Sequence, residues 1–380
     1  MRVLVSGYYG FGNLGDDALL GVLVEVLRNR LGLPGDAICV MAASPRETAR
    51  RHGVRAIPRA SAWAIRRELS TCDLFISGGG GLIQDQTSRR SAAYYLGLLN
   101  WAQRHVPTVM LGQGLGPLNS GVIQQWAHRV LPRTQAALVR DEASVRLLRR
   151  WGMPADRLFR GADLTFLRWR TDAHPDAPCQ AIREARVNAD SDEGHTPYAL
   201  LALRGRDVDA SAGRLRDAIE ELAQRHSLQP ALMAMHPDED RGPLEQLAER
   251  LEGSTPVLDP SSVDTLETMR CFRGAEVVIG SRLHALVFAM LVRRPCLAVG
   301  SERKIGRLVR DVAEAGGPEI PQLPLGGRPA QPVKLAAAVN CISDWDDRWE
   351  RAVATLSDRT HQALDGFLRR LEAIMEGVGQ

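Results

Sequence analysis

Arg282 and His284 stand two residues apart, directly after the apolar run Val277-Val278-Ile279-Gly280 and Ser281. Downstream, Leu283, Leu286, Val287, Met290 and Leu291 recur at helical spacing, and Ala285, Phe288 and Ala289 make the remaining face apolar. That pattern predicts a buried helix capped by Ser281, polar only in its first turn. Cations at a helix N-terminus are disfavoured by the dipole until an anion sits there. An arginine fixed beside a histidine at such a place suits the binding of an anionic substrate and a proton transfer to it near neutral pH. A histidine satisfied within the core is the competing reading. Arg140 ends another apolar run and carries a guanidinium fork matched to carboxylate or phosphate, unless it merely pairs with the neighbouring cap residue Asp141. Lys304, shortly after the run 295–299, would add a third positive charge, or is an ordinary surface-helix lysine.

A second set of residues suits hydroxyl groups rather than anions. Residues 7–17, GYYGFGNLGDD, join the run Arg2-Val3-Leu4-Val5-Ser6 to a helical pattern beginning at Ala18. They include a literal G-x-G-x-x-G at Gly10, Gly12 and Gly15, which alone suggests a dinucleotide site. A nicotinamide site also needs an acid at the end of the second strand, yet that run ends in Ala42-Ala43-Ser44 and Asp36 precedes it. Asp16 and Asp17 in the first turn would repel a pyrophosphate, whereas a sugar hydroxyl could bond to them, with helix capping as their bland alternative. Four glycines at Gly78, Gly79, Gly80 and Gly81, followed by Gln84 and Asp85, form a further edge where backbone amides can approach a ligand. Gly112-Gln113-Gly114-Leu115-Gly116-Pro117 forms another.

The elements needed to hold these residues follow a βαβ rhythm. Strands are expected near 73–77, 107–111 and 136–139, with helices at 90–104, 122–131 and 142–151, which makes a parallel sheet covered by helices. Residues 171–195 lose apolar periodicity and gain prolines and aspartates, as a linker does. The rhythm resumes at 198–203, 212–226, 231–235 and 275–279. A tail from Asp346 has Trp349, Val353, Leu356, Leu364, Phe367, Leu368, Leu371 and Met375 near helical spacing, with a possible break at Ser357. The expected organisation is an N-terminal Rossmann-like domain at 1–170 for the acceptor, a linker at 171–195, a C-terminal Rossmann-like domain at 196–345 for the donor, and a C-terminal helix at 346–380 packing back on the first domain. The fold class is α/β, two Rossmann-like domains facing a central cleft.

Composition excludes several classes. With 380 residues, 44% apolar and 24% charged, and a net charge of +3, the chain reads as an ordinary globular protein with room for two domains. Its arginine pairs, such as Arg66-Arg67, are scattered and lack interleaved aromatics, so nucleic acid is not an expected partner. The six cysteines are far apart and read as buried reduced thiols. No apolar stretch reaches the ~20 residues that span a bilayer, and the chain opens on a strand rather than a signal peptide, so a cytoplasmic enzyme is expected. His236 has no second histidine at metal spacing, and no structural metal is expected.

Together, GYYGFGNLGDDAL, FISGGGGLIQD, GQGLGPL, VRDEAS, MHPDEDR, IGSRLHAL and Lys304 resemble the polysaccharide pyruvyltransferase family, in particular its bacterial cell-wall branch named CsaB. The likeness runs in order over nearly the whole chain. It implies a fold like the GT-B glycosyltransferases and phosphoenolpyruvate as donor substrate, with no metal or redox cofactor. For the cell-wall branch it implies a lipid-diphosphate-linked saccharide acceptor ending in N-acetylmannosamine, which receives a 4,6-linked pyruvyl ketal used in anchoring S-layer proteins. On that pattern Arg140, Arg282, Leu283, His284 and Lys304 bind the donor, with His284 as general acid. Asn13, Asp16, Asp17, Gly79, Gly80 and Gln84 meet the acceptor, with Asp16 as candidate base. Arg66-Arg67 or the terminal helix would give peripheral contact at the inner face of the membrane. Two other readings stay open: a GT-B glycosyltransferase with a nucleotide-sugar donor, its ribose held by Asp259 or Glu267, and a non-catalytic sugar-phosphate binding module.

Overall fold

The structure, a computed structural model, describes residues 1–168, 179, 180, 182, 197–260, 265–300, 302–325, 334–341 and 346–378. Apart from Cys179, Gln180 and Ile182, the expected linker at 171–195 lies outside the described residues. The chain divides into two compact units, one of residues 1–167 with 356–380, the other of 168–355.

In the first unit the strands are β1 (Val3–Tyr9), β2 (Ile38–Ala42), β3 (Arg55–Pro58), β4 (Leu74–Ser77), β5 (Thr108–Gln113), β6 (Ala136–Val139) and β7 (Leu158–Arg160). They form a seven-stranded sheet in the order β3-β2-β1-β4-β5-β6-β7, parallel throughout. β2, β4, β5 and β6 are buried at every residue, the mark of strands covered on both faces. The strand order reverses between β1 and β4, and in open α/β sheets the crevice beyond the strand carboxyl ends at that point is where ligands bind. Both glycine-rich segments, 7–17 and 78–81, leave the sheet there.

The second unit holds β8 (Tyr198–Ala202), β9 (Gln229–Met233), β10 (Val257–Leu258), β11 (Val277–Gly280), β12 (Cys296–Val299) and β13 (Gln322–Leu323). Its six-stranded sheet runs β10-β9-β8-β11-β12-β13, so the order reverses between β8 and β11. Arg204 follows β8 closely, and Ser281 and Arg282 follow β11. The α/β class with two parallel Rossmann-like sheets is therefore as expected.

The terminal helix Asp347–Val378 is continuous through Ser357 rather than broken there. Ala363, Leu364, Phe367, Leu368 and Leu371 join the core of the first unit with Val3, Val5, Leu74 and Ile76. Phe367 meets Phe159 edge-on with centroids 6.2 Å apart. Thr360 Oγ1, fully buried, accepts from the Ala162 N–H at 2.8 Å and donates to the Leu356 carbonyl at 2.7 Å, which ties the helix to the chain after β7.

The cysteine expectation fails in two places. Cys179 and Cys271, 92 residues apart in sequence, have Cα atoms 4.9 Å apart and form a disulfide; distance along the chain says nothing about such a pairing. Cys341 is exposed, while Cys39, Cys72 and Cys296 are buried free thiols. Among the described residues no helix is long and apolar enough to cross a membrane.

Candidate functional site

In the second unit a network of charges closes around the β8 and β11 carboxyl ends. Asp240, fully buried, accepts from the Gly205 N–H at 3.0 Å, from the His236 N–H at 2.9 Å and from Arg282 Nη2 at 2.6 Å. The same Nη2 reaches Glu239 at 3.0 Å. Burial works against the Arg282 charge, but the bonds to Asp240 and Glu239 outweigh it, and its pKa lies above the ordinary arginine value. Glu239 is correspondingly held below the usual glutamate value: burial opposes this, and His236 and Arg282 drive it.

Ser281 does not cap the helix. Its Oγ accepts from the Arg204 N–H at 2.8 Å, joining the two strand ends, and Arg282 takes the N-cap position of the helix Leu283–Leu291 with extended backbone and no side-chain capping bond. The helix is fully apolar beyond its first turn, as expected, with His284 partly exposed in that turn and its ring 5.9 Å from that of Phe288. Leu283, in the donor set, is buried at the first helical position.

Lys304, on the helix Arg303–Glu314, meets Glu302 at 3.2 Å. Glu302 also accepts from Arg206 at 2.9 Å and pairs with Arg204. Arg204 is 7% exposed; burial first, then repulsion from Arg282 and Arg206, brings its pKa down to about 10. One carboxylate thus gathers three cations, while Arg282 stands close enough to Arg204 to perturb it. Arg204 escaped the sequence reading, although the reasoning that selected Arg140, an arginine at a strand's carboxyl edge, applies to it equally. Asp240 lies in MHPDEDR and Glu302 two residues before Lys304, but nothing in their spacing shows which cations they hold.

In the first unit the hydroxyl-type residues converge on the β1 and β4 ends. Asn13 Oδ1 accepts from Gly15 N–H at 3.1 Å, making Asn13 the N-cap of the helix Leu14–Leu31; Asp16 and Asp17 lie in its first turn rather than capping it. Gly80 has φ +104, and a Cβ there would sit 3.0 Å from Asp16 Oδ1, so a glycine lets this carboxylate approach. Gly79 packs against the Gly112 carbonyl and Leu19. Asp17 meets Arg51 at 3.2 Å. Burial raises its pKa to about 6 despite Arg51, with Asp16 adding to the rise.

Gln84 bonds within its own loop, and Asp85 ties that loop to the one after β5. Gln84 Oε1 accepts from the N–H groups of Gln86 at 2.9 Å and Thr87 at 3.2 Å, and Asp85 accepts from those of Asn119 at 2.7 Å and Ser120 at 2.6 Å. Gln113 is fully buried and donates to Ser77, so it pins β5 to β4 instead of lining an open edge.

Arg140 also belongs to the first unit. Its guanidinium lies against the glycines, since a Cβ on Gly114 would fall 2.5 Å from its Nε. The carboxylate it meets, at 3.2 Å, is Asp163, 8% and 3% of the two side chains being exposed. Asp141 caps the helix Glu142–Arg150 through Ser144 N–H. Asp163, unsuspected from sequence, accepts from both the N–H and the hydroxyl of Thr165, a turn that the order Asp163-Leu164-Thr165 could have signalled. Elsewhere, Cys179, Glu267 and Cys271 are near enough together to hold a metal ion, but the two sulfurs are bonded to each other.

Several solved structures share this fold. A UDP-GlcNAc 2-epimerase from Neisseria meningitidis, bound to UDP-GlcNAc, has TM-score 0.58 and 10% identity over 97% of this chain and 100% of its own. MnaA of S. aureus, solved with UDP, has TM-score 0.64 and 12% identity over 95% and 92%. HepE of Anabaena, solved with UDP and glucose, has TM-score 0.54 and 12% identity over 100% and 99%. Identities this low establish a GT-B-like fold and nothing more. No curated protein matches the chain. A family model does, that of the polysaccharide pyruvyl transferases, across residues 13–303, which takes in Asn13, Asp16 and Asp17 at the end of the first unit's glycine turn and the Arg282-Leu283-His284 turn of the second. The chain belongs to the polysaccharide pyruvyl transferase family, a family of transferases whose name implies a saccharide acceptor.

Proposed function

We propose that the protein transfers the pyruvyl group of phosphoenolpyruvate to a saccharide, forming a cyclic ketal and releasing phosphate. The observation that carries this reading is the cation cluster of Arg204, Arg206, Arg282 and Lys304 beside the His284 turn. A donor with a carboxylate and a phosphate needs several fixed cations and one proton source. Arg282 and the N–H groups of the Leu283 turn would take one anionic group. Lys304 and Arg204 would exchange Glu302 for the phosphate. The donor role of Arg140 rests on the family pattern alone.

In this reading His284 gives a proton to the methylene carbon, leaving positive charge on the central carbon. One sugar hydroxyl forms a C–O bond there, the C–O bond to phosphate breaks, and a second hydroxyl closes the ketal. The two hydroxyls release two protons; one restores His284 and the other leaves on the phosphate as hydrogen phosphate. Asp16, placed against Gly80, is the proposed base, with Asn13 and Asp17 beside it. The motif set further supports a cell-wall acceptor, a lipid-diphosphate-linked saccharide with terminal N-acetylmannosamine, modified at the inner face of the membrane.

The reading is tested with purified protein, phosphoenolpyruvate and a diphosphate-linked disaccharide ending in N-acetylmannosamine, following phosphate release and product mass. His284→Ala should abolish turnover and leave phosphoenolpyruvate binding intact. Undiminished product from that variant removes the role given to His284.

A further inference from the structure

The loops beside the first glycine turn hold a cation that pyruvyl transfer does not use. Arg59 follows β3, and its guanidinium carbon lies 4.5 Å from the Tyr94 ring centroid, 4.9 Å from that of Phe11 and 5.6 Å from that of Tyr95. Phe11, in the glycine turn, stacks on Tyr8 with centroids 4.1 Å apart and planes 10° apart. The position is fixed from both ends. The Arg59 N–H donates to the Ala42 carbonyl at 3.0 Å, the Tyr94 hydroxyl donates to the Arg59 carbonyl at 2.7 Å, and Nη2 donates to the Tyr95 hydroxyl at 3.2 Å.

What distinguishes Arg59 is its missing counter-ion. Arg140, Arg204 and Arg282 each meet a carboxylate, whereas among the described residues no carboxylate is within ion-pair distance of Arg59, and its buried Nε has no hydrogen-bond partner. Aromatic faces stabilise a guanidinium but accept none of its in-plane N–H bonds, and among the described residues only one Nη2 bond, to Tyr95, is spent, so the remaining Nη N–H groups stay available to an oxyanion. The location ties it to the hydroxyl-type residues. The Tyr95 hydroxyl donates to the Gly7 carbonyl at 3.1 Å and lies within reach of both the Arg59 cation and the Asp16 carboxylate.

We propose that Arg59, held on the Phe11, Tyr94 and Tyr95 rings, binds an oxyanion carried by the saccharide acceptor, a phosphate ester or a sugar carboxylate, away from the hydroxyls that react. The proposal rests on the transferase reading for the identity of its ligand as an acceptor, but not for its test. An acceptor with a charge at that site is selected over its neutral counterpart, and Arg59 sets that selection without touching the donor.

The test is calorimetric binding of three disaccharides to the full chain without phosphoenolpyruvate: a glycosyl phosphate, a uronic acid and the neutral parent. Wild type should prefer at least one anionic ligand by roughly tenfold or more, and Arg59→Met should abolish that preference while neutral-sugar affinity stays within about twofold. Arg59→Lys should restore part of it, and Arg225→Met, at an exposed pair within its own helix, should leave it unchanged. Whichever anionic ligand gains identifies the oxyanion. Near-UV circular dichroism of each variant checks that the aromatic cluster is intact. A preference that survives in Arg59→Met, an equal loss of all three ligands, or no preference in wild type overturns the proposal. Because no turnover is measured, a protein that fails to transfer pyruvate can still pass, and one that transfers it can still fail.

Discussion

Asp240→Asn removes a single charge from the place where the second unit's network converges. The carboxylate is fully buried and accepts three hydrogen bonds, two on Oδ1 from Gly205 N–H and Arg282 and one on Oδ2 from His236 N–H. An asparagine has one acceptor oxygen, so its amide must face one of these donors, and Arg282 is left with Glu239, whose side chain is 60% exposed. Hydrogen bonds to a charged group are worth about 1.5–3 kcal/mol each, and breaking a buried ion pair costs about 3–5 kcal/mol. These overlap, so the expected local loss is roughly 3–5 kcal/mol. Hydrogen exchange at the Gly205 and His236 amides reads it directly: protection should fall by about 10²-fold to 10³-fold or more, at tenfold per 1.4 kcal/mol. Amides of β1 in the first unit should keep theirs. Asp240→Asn combined with Arg282→Met should lose less than Asp240→Asn alone, because no buried arginine charge is then stranded. Exchange at Gly205 and His236 within tenfold of wild type would refute the reasoning.

Asp17 gives a pH dependence of defined sign. Its pKa rises from 3.8 to about 6 on folding, so between those values the native state holds a proton that the unfolded chain has lost, and stability falls as pH rises. At 1.36 kcal/mol per unit the cost of ionisation above pH 6 reaches about 3 kcal/mol at most. Asp17→Asn should therefore match wild type near pH 4 and unfold at higher temperature above pH 6; a lower melting point above pH 6 would reverse the sign. Gly80→Ala forces φ +104 and crowds Asp16, whereas Gly12 has φ +73 with nothing within 4 Å of its missing Cβ. Gly12→Ala should cost about 1–2 kcal/mol and Gly80→Ala measurably more; equal losses in thermal unfolding count against the close approach of Asp16. Thr360→Val keeps shape but strands the Ala162 N–H now bonded at 2.8 Å. Faster exchange at that amide, with about 1–3 kcal/mol lost, is expected, and unchanged exchange argues against the anchor.

Strand edges were the most legible part of the chain, because parallel strands buried on both faces appear as continuous apolar runs with glycine or charge at their ends. β4, β5, β6 and β11 stand within a residue or two of their expected places. β3, β7, β10 and β13 are short, partly exposed edge strands and leave little pattern to read. The Arg282-His284 turn was legible because an apolar helix with one polar turn is unusual. Its partners were not. Asp240 reaches Arg282 across 42 residues and Glu302 reaches Arg204 across 98, and only the β8-β11 adjacency brings them together. Ser281 was misread for the same reason: a local cap signal lost to a bond with Arg204, 77 residues away. The hydrogen bonds of Gln84 and Asp85 were not legible, because a sequence does not show which backbone N–H groups a loop side chain meets.

Transfer run in deuterated water, with phosphoenolpyruvate and an N-acetylmannosamine-terminated acceptor, tests the central claim most directly. The account predicts one pyruvyl ketal per phosphate released, with one deuterium in the ketal methyl group, because the proton delivered at the His284 turn reaches the methylene carbon. No transfer from phosphoenolpyruvate, with a UDP-sugar consumed in its place, would contradict it.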